Sequence, residues 1–184
     1  MSAPTLWMDN DAWWIYGVHP TLAAPLARFH GRNRFHLRIA MSQTPELEDP
    51  AYWEPELTRR QTAMQSGQAV HLVGIPKEPA GSEVGALISF WAIEHGDFQG
   101  CTMSILLDRY LEGRGLMHAM AEPAVREVIA RYKLHRVMAN HLPENLRSAQ
   151  LLRRLGFAVE GYARDFIRIN GRWRDVVLLS LLVT

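Results

Sequence analysis

The stretch "LLDRYLEGRGLM", residues 106–117, is the part of the sequence that most clearly indicates the fold. An apolar run ends at Leu107, a loop containing Gly113 and Gly115 follows, and a helix-forming run begins after it. Because glycines carry no Cβ, successive backbone N–H groups of such a loop can approach an anion at the positive end of the next helix. The stretch therefore predicts a strand, a phosphate-binding loop and a helix. Gly-x-Gly alone also fits a tight strand-to-helix turn, and the spacing matches neither a Walker A loop nor a dinucleotide-binding fingerprint.

The segments on both sides of this stretch predict a mixed α/β (α+β) fold. Upstream, apolar runs bounded by turn residues predict three strands, of which the first two form an antiparallel pair: residues 68–75, 83–95 and 101–107. Downstream, an apolar face over residues 115–132 predicts a helix that kinks at Pro123, and Val137–Asn140 predicts a short buried strand. This order of elements predicts a largely antiparallel sheet with helices packed on it.

The stretch "PENLRSAQLLRRLGF", residues 143–157, predicts a helix with defined ends. Asn145 suits the N-cap, three leucines form a buried stripe, and Gly156 suits the left-handed position after the helix. These structural duties explain most of the stretch without any chemistry. Further on, Asn170 and Gly171 are the pair favoured in a two-residue type I′ hairpin turn, so two antiparallel strands close the chain.

The N-terminal part predicts a strand at Trp13–His19 and two helices. The first helix starts near Thr21, but Pro25 and Gly31 predict that it is broken in two. The second helix spans Glu54–Gly67 and stops at its glycine. Four arginines of the first helix form a local basic run, for which a solvated outer face is favoured over a phosphate-binding patch: Arg28, Arg32, Arg34 and Arg38.

The composition sets limits on domain count and partners. With 184 residues, 48% of them hydrophobic, the chain is expected to form a single domain over residues 1–184. The formal net charge of +1 gives no global attraction to nucleic acid or to acidic lipid, so neither is an expected partner. The single cysteine, Cys101, has no second thiol for a disulfide or a metal pair, which indicates a reducing, cytoplasmic setting. No signal peptide or membrane-spanning run is recognisable, and a monomer or homodimer is expected.

The order strand, Gly-x-Gly loop, helix, short strand and capped helix resembles the GNAT family of acetyl-CoA-dependent N-acetyltransferases. Within that family, the sequence is most similar to the branch that acetylates the N-termini of ribosomal proteins. Six segments carry the resemblance and cover nearly half of the chain: "FQGC" (98–101), "YLEGRGLM" (110–117), "HRVMAN" (135–140), "PENLRSAQLLRRLGF" (143–157), "EGYARDF" (160–166) and "INGRWRD" (169–175). The resemblance implies a mixed, mostly antiparallel central sheet of about six to seven strands flanked by about four helices, with one splayed strand pair.

The resemblance also implies acetyl-CoA as the cofactor, with CoA as the product. In GNAT folds the CoA diphosphate sits on the amides of the loop that here runs from Glu112 to Met117, and the thioester lies where the strand before the loop splays from Val137–Asn140. The residues implied in cofactor binding are therefore Ile105, Leu106, Leu107, Glu112, Gly113, Arg114, Gly115, Leu116, Met117, Asn140, Asn145 and Ser148. The sequence departs from the family at Tyr110, where Gln or Arg is usual, so one side-chain contact to the diphosphate is absent.

The implied reaction is attack of a neutral amine on the thioester carbonyl with expulsion of CoA thiolate. Such a reaction needs a route for the amine proton, a donor to the oxyanion and a proton donor to the leaving sulfur. By resemblance, Asn145 lies beside the CoA arm, Ser148 is the candidate donor to sulfur, and a strand amide near Leu107 is the candidate donor to the oxyanion. The plain alternative is that Asn145 only caps its helix and Ser148 only fills the first turn.

The general base is open among several groups. Asp165 and Glu94 are the candidate carboxylates, although ordinary surface roles suit both. Water suffices as well, because a protein α-amine has a pKa of about 7.7–8.0 and is partly neutral near pH 7. Three histidines are further candidates: His95, His135 and His141. The histidines show no metal-ligand spacing, so no metal is expected.

The leading functional hypothesis is transfer of acetyl from acetyl-CoA to the N-terminal α-amine of a protein, with ribosomal proteins that begin with Ala or Ser as one acceptor class. Direct attack in a ternary complex is the expected route. Two alternatives stay open at this point. One is a GNAT enzyme that acetylates a small amine or an antibiotic, and the other is a non-catalytic module that binds CoA or associates with the ribosome.

Overall fold

The computed structural model describes residues 3–79 and 83–183, which form one eight-stranded sheet. The strands, in chain order, are β1 (Leu6–Asp9), β2 (Trp13–Gly17), β3 (Val70–Pro76), β4 (Ala86–Glu94), β5 (Gly100–Leu107), β6 (Arg136–His141), β7 (Ala158–Ile169) and β8 (Arg172–Leu182). Across the sheet they lie in the order β1-β2-β3-β4-β5-β6-β8-β7, and every neighbouring pair is antiparallel except β5 and β6. The predicted mixed, mostly antiparallel sheet is confirmed, with β1 as an additional short strand at its edge.

Helices cover both faces of the sheet, as predicted. They are α1 (Ala23–Leu37), α2 (Pro50–Gln65), α3 (Leu116–Tyr132) and α4 (Leu146–Arg154), and short 3₁₀ turns precede the first three. On one face, buried side chains of α1 and α2 such as Phe29 and Leu57 pack against Val73 and Leu87 of the sheet. On the other face, α3 and α4 bury a larger cluster against alternate residues of the same strands. Each central strand is therefore buried on both sides, which explains its nearly continuous apolar sequence.

The first helix differs from its prediction, because α1 runs without a break from Ala23 to Leu37. Pro25 is the third residue of the helix, where the N–H has no intrahelical acceptor, so proline removes no hydrogen bond there. Gly31 lies within the helix at ordinary helical backbone angles and does not end it. The second helix begins four residues before the predicted start, because the side chain of Asp49 accepts a hydrogen bond from the Ala51 N–H at 2.9 Å and caps it.

The C-terminal elements follow their predictions. Asn145 is the N-cap of α4, and its Oδ1 accepts a hydrogen bond from the Ser148 N–H at 3.1 Å. Gly156 has a left-handed φ of 90°, and the buried Leu152 anchors the helix on the sheet. The turn between β7 and β8 has positive φ at both Asn170 (48°) and Gly171 (81°), as a type I′ hairpin requires.

The feature that positions the site is the separation of β5 from β6. The two parallel strands pair only at their first residues, from Gly100 with Arg136 to Thr102 with Met138. After Thr102, β5 stays paired with β4 on its other side, and β6 stays paired with β8. Within the described residues no pairing closes the gap between them, so the facing backbone groups of their last residues are left for another partner. The predicted splayed strand pair is confirmed.

The helices of residues 3–79 and 83–183 include none that is long and apolar enough to cross a membrane.

Candidate functional site

A cleft of about 670 Å³ opens where β5 and β6 separate. A volume of this size lies within the range of pockets that hold small-molecule ligands. Four parts of the chain form its wall: the end of α1 (His36, Leu37, Ile39 and Ala40), the end of β5 (Ile105, Leu106 and Leu107), the loop into α3 (Leu111, Glu112, Gly113, Gly115, Leu116, Met117 and His118), and the segment from β6 into α4 (Leu142, Glu144, Asn145, Leu146, Arg147, Ser148, Gln150, Leu151 and Arg154). Elements that are distant in sequence therefore meet around one space.

The glycine loop lies on this wall with its backbone exposed to the cleft. Gly113 and Gly115 have left-handed φ values of 72° and 74°, which side chains other than glycine adopt at a cost. A Cβ placed on either glycine would meet no atom of the described chain within 4 Å, so the protein leaves the space beside them open. Gly115 is also the N-cap of α3, whose first N–H groups have no intrahelical acceptor. The loop thus fits an anion such as the diphosphate of CoA.

The start of α3 is fixed from β2. Trp13 is fully buried, and its indole Nε1–H donates a hydrogen bond to the Leu116 carbonyl at 2.8 Å. Asn10 donates from Nδ2 to the Ala119 carbonyl at 2.8 Å one turn later. Two side chains near the N-terminus therefore orient the helix that carries the glycine loop.

A buried polar network joins α1 to the same loop. Asp108, which directly follows β5, is 4% exposed and accepts hydrogen bonds from Arg32 Nε at 2.5 Å and Asn33 Nδ2 at 3.0 Å. Its other oxygen accepts from the Tyr110 N–H at 3.0 Å, and the fully buried Asn33 accepts from the Arg109 N–H with Oδ1 at 3.0 Å. The start of the segment that enters the glycine loop is therefore held by two adjacent residues of α1, Arg32 and Asn33.

Asp108 stays ionised in this network. Burial by itself would raise its pKa, but the hydrogen bonds from the Tyr110 backbone, Asn33 and Arg32 outweigh that effect and hold the pKa of Asp108 below its usual range. Arg32, predicted as part of a solvated outer face, is instead engaged with this carboxylate and with Glu83 at 3.0 Å. The other predicted surface arginines are exposed, as Arg28 and Arg34 illustrate.

A second set of charges bridges the cleft above the glycine loop. Glu112 Oε1 lies 3.3 Å from His36 Nε2 of α1, and Glu112 Oε2 accepts a hydrogen bond from Arg147 of α4. The Glu112 side chain is 20% exposed, whereas that of Arg147 is 74% exposed. One carboxylate therefore links the two helices that flank the cleft.

The polar start of α4 also faces the cleft. Asn145 and Ser148 both lie on its wall, with Asn145 occupied in capping the helix. The Ser148 hydroxyl forms no hydrogen bond with another described residue. Asn145 therefore has the predicted structural role, and the Ser148 hydroxyl is available to a ligand.

The β7–β8 hairpin is hydrogen-bonded to two of the segments that form the cleft wall or adjoin it. At its turn, Asn170 Nδ2 donates to the Arg38 carbonyl at 2.8 Å, and the Asn170 N–H donates to Ser42 Oγ at 2.9 Å. Three residues after Gly171, Arg174 donates to Glu144 on the cleft wall. The loop after α1 is thus tied to the hairpin, and the hairpin is tied to the start of α4.

Most residues that the sequence implied in cofactor binding lie on the cleft wall, and two do not. Ten of the twelve line it: Ile105, Leu106, Leu107, Glu112, Gly113, Gly115, Leu116, Met117, Asn145 and Ser148. Arg114 instead lines a small recess together with Asp11 and Glu78. Asn140 is exposed on β6 and is not part of the wall. The sequence missed Arg147, His36 and the Asp108 network, although an aspartate directly before a Gly-x-Gly loop was a visible signal for the last.

The two predicted carboxylate bases are not on the cleft wall. Glu94 pairs with Gly100 at the far end of β4, seven residues and about 23 Å from the end of β5. Asp165 is exposed in a bulge of β7, with φ at 47° and its N–H donating to Asp175 Oδ1 at 2.9 Å. Glu94 ends β4, as its plain alternative states, and within the described residues Asp165 forms no ion pair with Arg164 or Arg168. A role for either carboxylate as the base stays a prediction.

Among the candidate histidines, one lies at the cleft end of the sheet. His95 and His135 are exposed at the opposite end, after β4 and before β6. His141 ends β6 next to Leu142, whose carbonyl is 2.8 Å from His141 Nδ1. Because a carbonyl only accepts, Nδ1 of His141 carries the proton, and Nε2 is the acceptor in the neutral ring.

Cys101 has no part in this site. It is fully buried in the core, and burial raises the pKa of its thiol to about 12, so no thiolate nucleophile is available there. Within residues 3–79 and 83–183, no group of three or more His, Cys, Asp or Glu side chains is arranged to hold a metal ion.

A glycine loop before a helix, a split parallel strand pair and a capped helix around one cleft define an acyl-CoA-binding transferase fold. The chain belongs to the GNAT acetyltransferase family, because the family model described as acetyltransferase (GNAT) domain matches residues 18–158. It uses acetyl-CoA as the acetyl donor, as the sequence predicted.

Individual relatives are similar over nearly the whole chain. The sequence is 32% identical over 181 residues to the ribosomal protein uS5-alanine N-acetyltransferase of Escherichia coli (strain K12), covering 98% of this chain and 92% of that protein. The crystal structure of ribosomal-protein-S5-alanine acetyltransferase from Vibrio fischeri superposes with a TM-score of 0.89 at 25% identity over 95% of both chains. Mycobacterium smegmatis RimJ in complex with CoA-disulfide shares the fold, with a TM-score of 0.86 at 19% identity over 93% of this chain and 82% of that one. The predicted resemblance to the RimJ branch is confirmed.

Proposed function

We propose that the protein transfers the acetyl group of acetyl-CoA to the N-terminal α-amine of a protein, and that ribosomal proteins beginning with Ala or Ser are its acceptor class. The observation that carries this proposal is the 32% identity to the Escherichia coli uS5-alanine enzyme over 98% of the chain. Identity that extends over the α1 and hairpin regions matters, because the acceptor is proposed to contact the first helices and the last hairpin. A cytoplasmic location is part of the proposal and agrees with the single, unpaired cysteine.

Acetyl-CoA supplies the activated acetyl group, and the chain supplies binding and proton transfer. The open amides of the loop from Gly113 to Met117 bind the diphosphate, and the unpaired edge of β5 after Thr102 binds the pantetheine arm as an added strand would. An amide near Leu107 on the same edge donates to the carbonyl oxygen as it gains charge.

Two side chains are proposed to move protons. The Ser148 hydroxyl, which forms no hydrogen bond within the described residues, passes a proton to the leaving sulfur and regains one from water, so the proton that the amine loses balances the one that the CoA thiol gains. The amine reaches the cleft partly neutral, so water suffices to remove its proton. His141, which lies at the cleft end of β6, offers Nε2 as a side-chain acceptor. Exchange of His141 for Gln would then lower kcat, whereas an unchanged kcat would leave water as the base.

The proposal is tested by offering purified protein acetyl-CoA with peptides that begin with Ala, Ser or Met, and by measuring CoA thiol release. Mass spectrometry then places the acetyl group, and peptides with a blocked α-amine but a free lysine serve as the control. Acetylation of the α-amine of Ala and Ser peptides is the expected result. Turnover only with polyamines or other small amines would replace the acceptor class, and CoA binding without turnover on any amine would identify a non-catalytic binding module.

A further inference from the structure

We propose that Arg147 binds the diphosphate of acetyl-CoA, and that Glu112 competes with the diphosphate for Arg147. This inference rests on the proposed function, because it concerns the same cofactor site. Its geometric basis is the ion pair between Glu112 of the glycine loop and Arg147 of α4, which spans the cleft directly beside the open amides of Gly113 and Gly115.

The loop needs a cation that its own side chains do not provide. Tyr110 occupies the position where a Gln or Arg would reach the diphosphate. Arg109 is engaged elsewhere, since its guanidinium lies 4.4 Å from the centre of the Tyr110 ring. Arg114 lines the separate recess beside Asp11. Arg147 is the arginine that contacts the loop from across the cleft, and its planar guanidinium matches two phosphate oxygens at once.

The ion pair between Arg147 and Glu112 is weak on the arginine side. The Arg147 side chain is 74% exposed, so its charge is well solvated and it can leave Glu112 at little cost in free energy. A diphosphate carries more charge and offers more acceptor oxygens than one carboxylate, so exchange of Glu112 for diphosphate favours the bound state. After the exchange Glu112 is not left alone, because its other oxygen lies 3.3 Å from His36 Nε2.

The competition has a predictable sign. Glu112 lowers the affinity for CoA by occupying Arg147 and by placing a negative charge near the diphosphate, and it therefore promotes release of the CoA product. Removing the Glu112 charge should tighten CoA binding, whereas removing Arg147 should weaken it. If Glu112 acts through Arg147, the gain from the first change must shrink when the second is already present.

Calorimetric titration of CoA and of acetyl-pantetheine, which lacks the diphosphate, tests this in R147Q, E112Q and the double variant. We expect R147Q to weaken CoA binding about tenfold and to leave acetyl-pantetheine binding unchanged. E112Q should tighten CoA binding severalfold, with a smaller gain in the R147Q background. The controls are R126Q and E122Q, which change charge by the same amount at an ion pair on α3 whose arginine is 78% exposed.

The outcomes separate the inference from the proposed function. CoA affinity in R147Q equal to that of the parent and of R126Q would overturn the inference while leaving the acetyltransferase intact. Equal gains from E112Q in both backgrounds would overturn the competition, because the effect would then be direct repulsion alone. Absence of CoA binding to the parent protein would overturn the proposed function itself.

Discussion

Replacing Gly115 with Ala tests whether the glycine loop binds diphosphate through its backbone. Gly115 has a φ of 74°, and a Cβ there would meet no atom of the described chain within 4 Å. The methyl group therefore disturbs no packing in the protein. It occupies the open space that the cleft leaves for a ligand.

Two separate effects follow, and their sizes can be worked out. The left-handed backbone costs alanine about 1 kcal/mol of unfolding free energy relative to glycine. If the methyl group displaces one phosphate oxygen from an amide, the loss of a charge-assisted hydrogen bond costs about 1.5–3 kcal/mol. That loss corresponds to a CoA affinity about 10- to 150-fold lower.

Gly171→Ala is the matched control. Gly171 has a φ of 81°, also leaves open space beside it, and lies in the hairpin turn away from the cleft wall. Urea unfolding should give the same loss of stability for both variants, and calorimetry should give weaker CoA binding for Gly115→Ala alone. Equal CoA affinity in the two variants would refute the diphosphate loop.

Three further predictions follow from the same contacts. His30 and His71 have pKa values lowered to about 4, chiefly by burial, so the native state binds fewer protons than the unfolded state and stability is lost as pH falls from 6.5 towards 4. Each histidine should lower the free energy of unfolding by about 2 kcal/mol at pH 5 relative to pH 7, as measured by urea unfolding at both pH values. His30→Phe should remove the part of this loss that His30 causes. Ser148→Ala should lower kcat more than it lowers CoA affinity, as measured by steady-state kinetics and calorimetry. If neither quantity changes, Ser148 has only a structural role. Asp108→Asn keeps an acceptor for the Tyr110 N–H but removes the buried charge. It should lower the free energy of unfolding by about 3 kcal/mol, measured by thermal unfolding, and weaken CoA binding, measured by calorimetry.

The local signals that predicted the fold are those that act within a few residues. Asn145 caps its helix, Gly156 ends it, and Asn170 with Gly171 turns the hairpin, because each of these roles depends on backbone angles and neighbouring N–H groups. The exception is α1, because Pro25 was predicted to break this helix and does not. A proline in the first turn loses no hydrogen bond, so its position within the helix decides its effect.

The site was predictable where it is made of backbone and obscure where it is made of side chains from distant elements. The glycine loop follows from Gly113 and Gly115 alone. The contact between Asn33 and Asp108 joins residues 75 positions apart, and no spacing rule reaches that far. Glu94 is a different case. Its strand pairs antiparallel with the next strand, β5, so the end of β4 lies far from the end of β5, and that pairing was not predicted from the sequence.

The attachment of α1 at two points has a thermodynamic consequence. Within α1, Asn33 holds the entry to the glycine loop. The residues just after the C-terminal end of α1 form the opposite wall of the cleft and are hydrogen-bonded by Asn170. An acceptor that binds against this wall and moves α1 would also move the loop amides that are proposed to bind the diphosphate. Linkage then requires that each substrate changes the affinity of the other by the same factor. The dissociation constant of one substrate therefore changes when the protein is saturated with the other.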